Sequence, residues 1–206
     1  MYAIITNNEI TKLITNPKSL VIGDVRYPSK IFQLWSTSEL NAIGIYEVVF
    51  DDSNKKDEQW YINTNQTFAF ADGTVTASYG TATPKAHADS LYTSQDNTDG
   101  LIPDDKSVGD VKVEGLKTTL IRTLKSQVAN ELARTDWYIT RNTEKSTAIP
   151  SAISTHRDAV RTKQAQMETA ITNASDTPAL ETLYTYTKQE DGSVTKPLGE
   201  LPTLES

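Results

Sequence analysis

Between Glu114 and Ala174 the chain carries two amphipathic runs separated by a Trp-Tyr pair and a proline. Two one-faced helices so close in sequence must each find an apolar partner. In the first run Leu116, Leu120, Leu124, Val128 and Leu132 recur at the four-residue step that keeps to one helix face, and Ile121 widens the stripe. In the second run Ile153, Val160, Met167 and Ala174 stand seven apart, with Ile171 between the last two. The simplest way to bury both stripes is against each other, as a helical hairpin. Neither run holds residues that resemble catalytic equipment, so the reading points to packing and binding before chemistry.

The 206 residues suit one large or two small domains, and an apolar content of 37% supports only modest cores. A formal charge of -7 argues against whole-surface affinity for nucleic acid or anionic membrane. The chain has no cysteine, which excludes disulfides, thiolate metal sites and cysteine nucleophiles. MYAIITNNEITK lacks a basic start followed by a long apolar run, and no apolar stretch approaches bilayer-spanning length. A soluble, unsecreted protein is the expectation.

Ahead of the helical region, short β-favouring runs dominate. Tyr2 to Ile5 and Glu9 to Ile14 flank Thr6-Asn7-Asn8, a turn whose asparagines tolerate left-handed backbone. Ser36-Thr37-Ser38-Glu39 has capping-box spacing and Gly44 supplies a stop, which predicts a short helix over Thr37 to Ile43 leading into a strand over Ile45 to Phe50. Asp72-Gly73 between Thr67–Ala71 and Thr74–Tyr79 suits a tight hairpin turn. Trp60 and Tyr61 are assigned to the core of this β-rich part.

The chain is therefore expected to be α+β. Residues 1–80 form a small β-rich α+β domain, 81–112 an extended linker, 113–187 a helical hairpin domain, and 188–206 a C-terminal tail. The linker reading rests on a shift to Thr, Ser, Asp, Gly and Pro with few apolar anchors. Pro178 suits the first turn of a short helix through Tyr184, and Asp191-Gly192 the turn of a final small hairpin.

Candidate chemistry is sparse. His87 in the linker and His156 in the second run are expected at solvated surfaces, and neither has the partner spacing of a His-Glu-x-x-His zinc motif. Asp89, Asp96, Asp99, Asp104, Asp105 and Asp110 invite a calcium reading, but placing Gly100 at the sixth loop position puts Gln95 first and Lys106 where the bidentate glutamate belongs. No phosphate loop, dinucleotide fingerprint or Gly-x-Ser-x-Gly elbow occurs, so no enzymatic activity, cofactor or metal is expected.

The remaining candidates concern binding. Arg157 and Arg161 are four apart and share a helix face; a solvated face, or ion pairs to Asp136 and Glu144 that orient the elbow, is preferred to a binding patch. Trp137 and Tyr138 are expected to plug the open end of the hairpin, with an exposed hot spot as the alternative. A DNA-reading helix-turn-helix is disfavoured because Asp136 to Ile149 is too long a turn. Oligomerisation through the seven-residue repeat stays possible, and glycan recognition finds little support.

The run GLKTTLIRTLKSQVANELARTDWYITRNTEKSTAIPSAISTHRDAVR resembles the C-terminal segment of tailed-bacteriophage tail proteins, including tail-fibre assembly proteins, in which a helix ends in Thr-Asp-Trp and a proline-led helix with a paired-arginine motif follows. The matching residues are Thr135, Asp136, Trp137, Arg141, Pro150, Arg157 and Arg161. YPSKIFQLWSTSELNAIGIYEV also resembles a segment of related phage chains, through Tyr27, Pro28, Glu39, Leu40, Gly44 and Ile45. The two segments cover roughly a third of the chain. The resemblance implies a non-enzymatic structural or adaptor protein of a phage tail, baseplate or fibre attachment, in the virion tail and, during assembly, the host cytoplasm. The alternative is an assembly chaperone absent from the mature virion. Its partners would be other tail or fibre proteins, without nucleic acid or membrane, and Trp137, Tyr138, Arg141, Arg157 and Arg161 are the candidate partner-binding residues.

Overall fold

The structure, a computed structural model, describes residues 1–204. The chain is α+β, with strands concentrated in the first part and long helices in the second. It divides into two compact units, Met1–Thr83 and Pro84 onward.

In the first unit β1 (Tyr2–Thr6) and β2 (Glu9–Ile14) form an antiparallel hairpin. Its turn places Asn7 and Asn8 at φ 51 and 64, the left-handed region that asparagine tolerates. A second ribbon, β3 (Leu20–Ile22) and β4 (Val25–Tyr27), is followed by two short helices, α1 (Ile31–Leu34) and α2 (Thr37–Ala42). The capping box exists as read: Ser36 Oγ accepts from the Glu39 amide at 3.3 Å, and Glu39 Oε2 accepts from the Ser36 amide at 2.7 Å. Gly44, at φ 80, ends the turn where a Cβ would lie 2.8 Å from the Ile5 carbonyl oxygen.

The strand β5 (Ile45–Asp51), the two-residue β6 (Tyr61–Ile62), β7 (Thr67–Ala71) and β8 (Thr74–Ser78) complete the unit, while β9 (Thr83–Pro84) falls where the two units meet in the sequence. The main sheet runs β2-β1-β5-β8-β7; β5 and β8 are parallel, the others antiparallel, and β2 also approaches β7. The Asp72-Gly73 turn has φ 50 and 73, as its type requires. One side of the sheet encloses Ala3, Val48, Val75 and Ala77 with Phe68 and Phe70; Ile31, Leu40 and Ile45 form a second cluster with Tyr27, Phe32 and Trp35. Trp60 and Tyr61 are buried.

In the second unit α4 (Leu116–Ala133) packs against α6 (Ser151–Asn173), with α5 (Asp136–Lys145) between them in sequence and α7 (Thr177–Tyr184) after them. Leu124 and Val128 of the first stripe and Ile153, Val160, Met167, Ile171 and Ala174 of the second are buried. Each large aliphatic side chain buried in this way contributes on the order of 1.5–3 kcal/mol. The Asp136 to Ile149 elbow differs from expectation in being mostly helical. Thr-Asp leads straight into a new helix, with Asp136 favourably placed in its first turn and Lys145 in its last.

The stretch expected to be an extended linker, 81–112, is from Pro84 onward part of this unit. It contains β10 (Ser90–Leu91), α3 (Ser94–Thr98) and β11 (Val111–Val113), with β10 and β11 paired. The physical reason lies at the start of α4, whose first amides have no partner within the helix. The Leu116 and Lys117 amides donate to the Ala86 and His87 carbonyls at 2.9 and 3.0 Å. The two carboxylate oxygens of Asp89 accept from the Gly115 amide at 2.6 Å and the Thr118 hydroxyl at 2.8 Å. Asp96 is buried and paired with Lys112. These polar residues are tied down by hydrogen bonds, which an apolar-periodicity reading does not register.

The C-terminal segment read as a tail begins with the small hairpin expected at Asp191-Gly192, a two-stranded ribbon of β12 (Thr187–Lys188) and β13 (Val194–Thr195). It then buries Leu198, whose amide donates to the Leu183 carbonyl at 3.0 Å. The last two residues of that expected tail lie outside the described residues. No helix among the described residues is long and apolar enough to cross a membrane.

Candidate functional site

The Thr135-Asp136-Trp137 segment sits where α4 stops and α5 starts, a junction that leaves α4 carbonyls in need of donors. The Leu132 carbonyl accepts from the Thr135 amide at 3.1 Å, from the Thr135 hydroxyl at 3.0 Å and from Arg157 Nη1 at 2.8 Å. The same Arg157 nitrogen donates to Thr135 Oγ1 and to Asp136 Oδ1, each at 2.8 Å. Arg157 and Thr135 are buried, whereas the Asp136 carboxylate reaches solvent. A single guidanine nitrogen on α6 thus joins the end of α4 to the start of α5. Arg157 Nε is buried without a hydrogen-bond partner among the described residues, which makes the clip dependent on Nη1.

His156, next to it, points at the same end of α4. Contrary to the expectation of a solvated surface it is buried, with Nε2 3.0 Å from Glu131 Oε1. Glu131 also accepts from Arg134 at 3.0 Å. Burial alone would raise the Glu131 carboxyl pKa, but the hydrogen bond from Arg134, its charge, and the hydrogen bond and charge of His156 outweigh that and hold it below the usual range. His87 lends its backbone carbonyl to the start of α4 and is half-buried.

At the far end of α5, Ser146 adopts the left-handed conformation at φ 51 while its amide donates to the Asn142 carbonyl at 2.8 Å, and Asn142 Nδ2 donates to the Thr147 carbonyl at 2.9 Å. The helix is therefore fastened at both ends. On its outward side Trp137 is 52% exposed, which corrects the expectation that it plugs the hairpin. Its ring lies on that of Tyr138, with centroids 3.8 Å apart, and the Arg141 guanidinium stands 5.8 Å from the indole centroid. The reason is length: once the elbow is a ten-residue helix, its own apolar residues cannot all turn inward, and Ile139 is exposed as well.

The five candidate residues thus separate. Trp137, Tyr138 and Arg141 come together on α5; Arg157 is the buried clip beneath; Arg161 is exposed and pairs with Asp158 at 3.3 Å, away from the clip. Of the two carboxylates expected to meet these arginines, Asp136 does so, and Glu144 makes no ion pair among the described residues. The sequence reading missed Glu131 and the depth of Thr135. Arg157 and His156 could have been found: each lies three or four residues from both Ile153 and Val160, on the buried stripe itself.

The arrangement offers an aromatic and a guanidinium group at low conformational-entropy cost on a secured helix, which equips it for recognition. No family model, curated protein or solved structure matches this chain.

Proposed function

We propose that this chain is a non-enzymatic structural or adaptor protein of a bacteriophage tail, baseplate or fibre attachment. In this reading α4 and α6 are the two arms of a helical hairpin that serves as a scaffold, and α5 is its docking element. The observation that carries the reading is the half-exposed Trp137, stacked on Tyr138 and flanked by Arg141, on a helix fixed by Arg157. Tryptophan, tyrosine and arginine are the residue types that dominate binding hot spots.

The resemblance to tail proteins supports the reading because its motif residues divide by role. Thr135, Asp136 and Arg157 build the clip, while Trp137 and Arg141 face outward. A scaffold motif keeps the first set for its own fold and the second for a neighbour.

The test is mass spectrometry of washed, purified phage particles, in which the chain is expected at stoichiometric amounts with other tail proteins. Complete absence from particles, with recovery only in complex with an unassembled fibre protein, would make it an assembly chaperone instead. Recovery with no tail protein at either stage would defeat both.

A further inference from the structure

The first unit carries its charge unevenly. Between Ile10 and Ser38 stand Lys12, Lys18, Arg26 and Lys30 against Asp24 alone, while from Glu39 to Thr83 acids outnumber Lys55 and Lys56. Three of those cations line two surface clefts, of about 370 and 450 Å³. The first holds Lys12 and Lys18, the second Lys12 and Arg26, and the clefts share Lys12, Ser19 and Leu20, so they form one trough along β2 and β3. No carboxylate lines either cleft. Among the described residues Lys12, Lys18 and Arg26 make no ion pair, and each is exposed.

An acidic chain that keeps three uncompensated cations in one trough has a local field opposite in sign to its net charge, and such a field gathers anions. We propose that the trough binds an extended acidic segment of a partner protein. Neither cleft is lined by all three cations, which suits several negative charges spaced along a chain better than a single oxyanion. Beside it β3 is paired on one side only, with β4, leaving backbone donors and acceptors for a strand laid alongside, while the far edge of β2 is approached by β7. Leu13, Leu20 and Val21 offer apolar surface between the charges. The lining contains no aromatic ring, and single-stranded nucleic acid is held by stacking on such rings, so a peptide is favoured over an oligonucleotide. The site belongs to the first unit and is independent of the α5 reading.

The test is fluorescence anisotropy of the full chain with a labelled decapeptide of alternating glutamate and valine, alongside an oligothymidylate of equal charge. Saturable peptide binding that weakens as salt rises is expected. Lys12→Glu with Arg26→Glu should lower the affinity about tenfold or more, a loss of roughly 1.4 kcal/mol per factor of ten. Lys106→Glu with Lys125→Glu, which changes net charge equally outside the trough, should leave it unaltered. The milder Lys12→Gln with Arg26→Gln should lower it severalfold with an unchanged melting curve, which separates lost binding from lost folding. Absence of peptide binding, equal losses in the two charge-reversed pairs, no loss in the glutamine pair, or oligothymidylate binding as tightly as the peptide would each overturn the proposal.

Discussion

Arg157 on α6 donates to the Asp136 carboxylate at 2.8 Å, across 21 residues of sequence, and through the same nitrogen to the Leu132 carbonyl and the Thr135 hydroxyl. The carboxylate is largely exposed, so this ion pair by itself contributes little. The two bonds made out of solvent, to Leu132 and Thr135, carry most of the stabilisation.

Replacing Arg157 by alanine removes those donors and leaves the half-buried Leu132 carbonyl and the buried Thr135 hydroxyl with fewer partners. The second unit is expected to lose about 2–4 kcal/mol, measurable by urea unfolding. Arg157→Lys should restore only part of the loss, because an ammonium on a flexible stem does not reproduce the guanidinium geometry. Wild-type stability in Arg157→Ala would mean that the clip is ornamental.

Trp137→Ala should behave differently. A buried tryptophan costs roughly 3–5 kcal/mol when truncated, but this ring is half-exposed, and a change of only about 1 kcal/mol in unfolding free energy is expected. On the proposed docking role of α5, binding to a tail-protein partner should fall by about 2 kcal/mol or more, read as a Kd ratio. Large destabilisation without selective loss of binding would return the indole to a core role.

Gly115 is fixed by proximity. A Cβ there would overlap the carbonyl carbon and oxygen of Ala88, both backbone atoms that cannot swing away. Gly115→Ala should therefore cost about 1–3 kcal/mol and loosen the contact of residues 86–89 with α4. Hydrogen exchange at the Leu116 and Lys117 amides would report it; unchanged protection there would show that the segment shifts freely.

Asp96 gives the second unit an acid limb. Hydrogen bonding from Lys112, then from the Thr93 amide and hydroxyl, holds its pKa at about 2, against an ordinary value of 3.8. A depressed carboxyl contributes stability that is complete above the unfolded pKa and is lost as pH falls through the folded one. The melting temperature should thus decline from about pH 4 towards pH 2, and Asp96→Asn should lower stability near neutrality while flattening that decline. An identical pH profile in the variant would exclude Asp96 as its source.

Much of this was readable beforehand from residues whose effect is local. Asn7-Asn8 and Asp72-Gly73 fixed hairpins because few other residues accept their φ values, and Ser36 with Glu39 satisfied a helix start three residues apart. The buried members of both helical stripes followed from periodicity. Less visible was the fate of polar residues, since a histidine, an arginine or an aspartate can be buried only if a distant partner exists. His156 needed Glu131, Arg157 needed Leu132 and Thr135, and Asp89 needed Gly115 and Thr118.

What the sequence determined by itself is thus the set of turns, caps and apolar faces, because each depends on backbone angles or on neighbours within one helical turn. Tertiary structure alone decided that the polar stretch before α4 caps that helix, that Arg157 joins two others, and that Trp137 faces outward. Those outcomes depend on which unpaired backbone group lies within hydrogen-bonding distance in space, and spacing along the chain does not encode that distance.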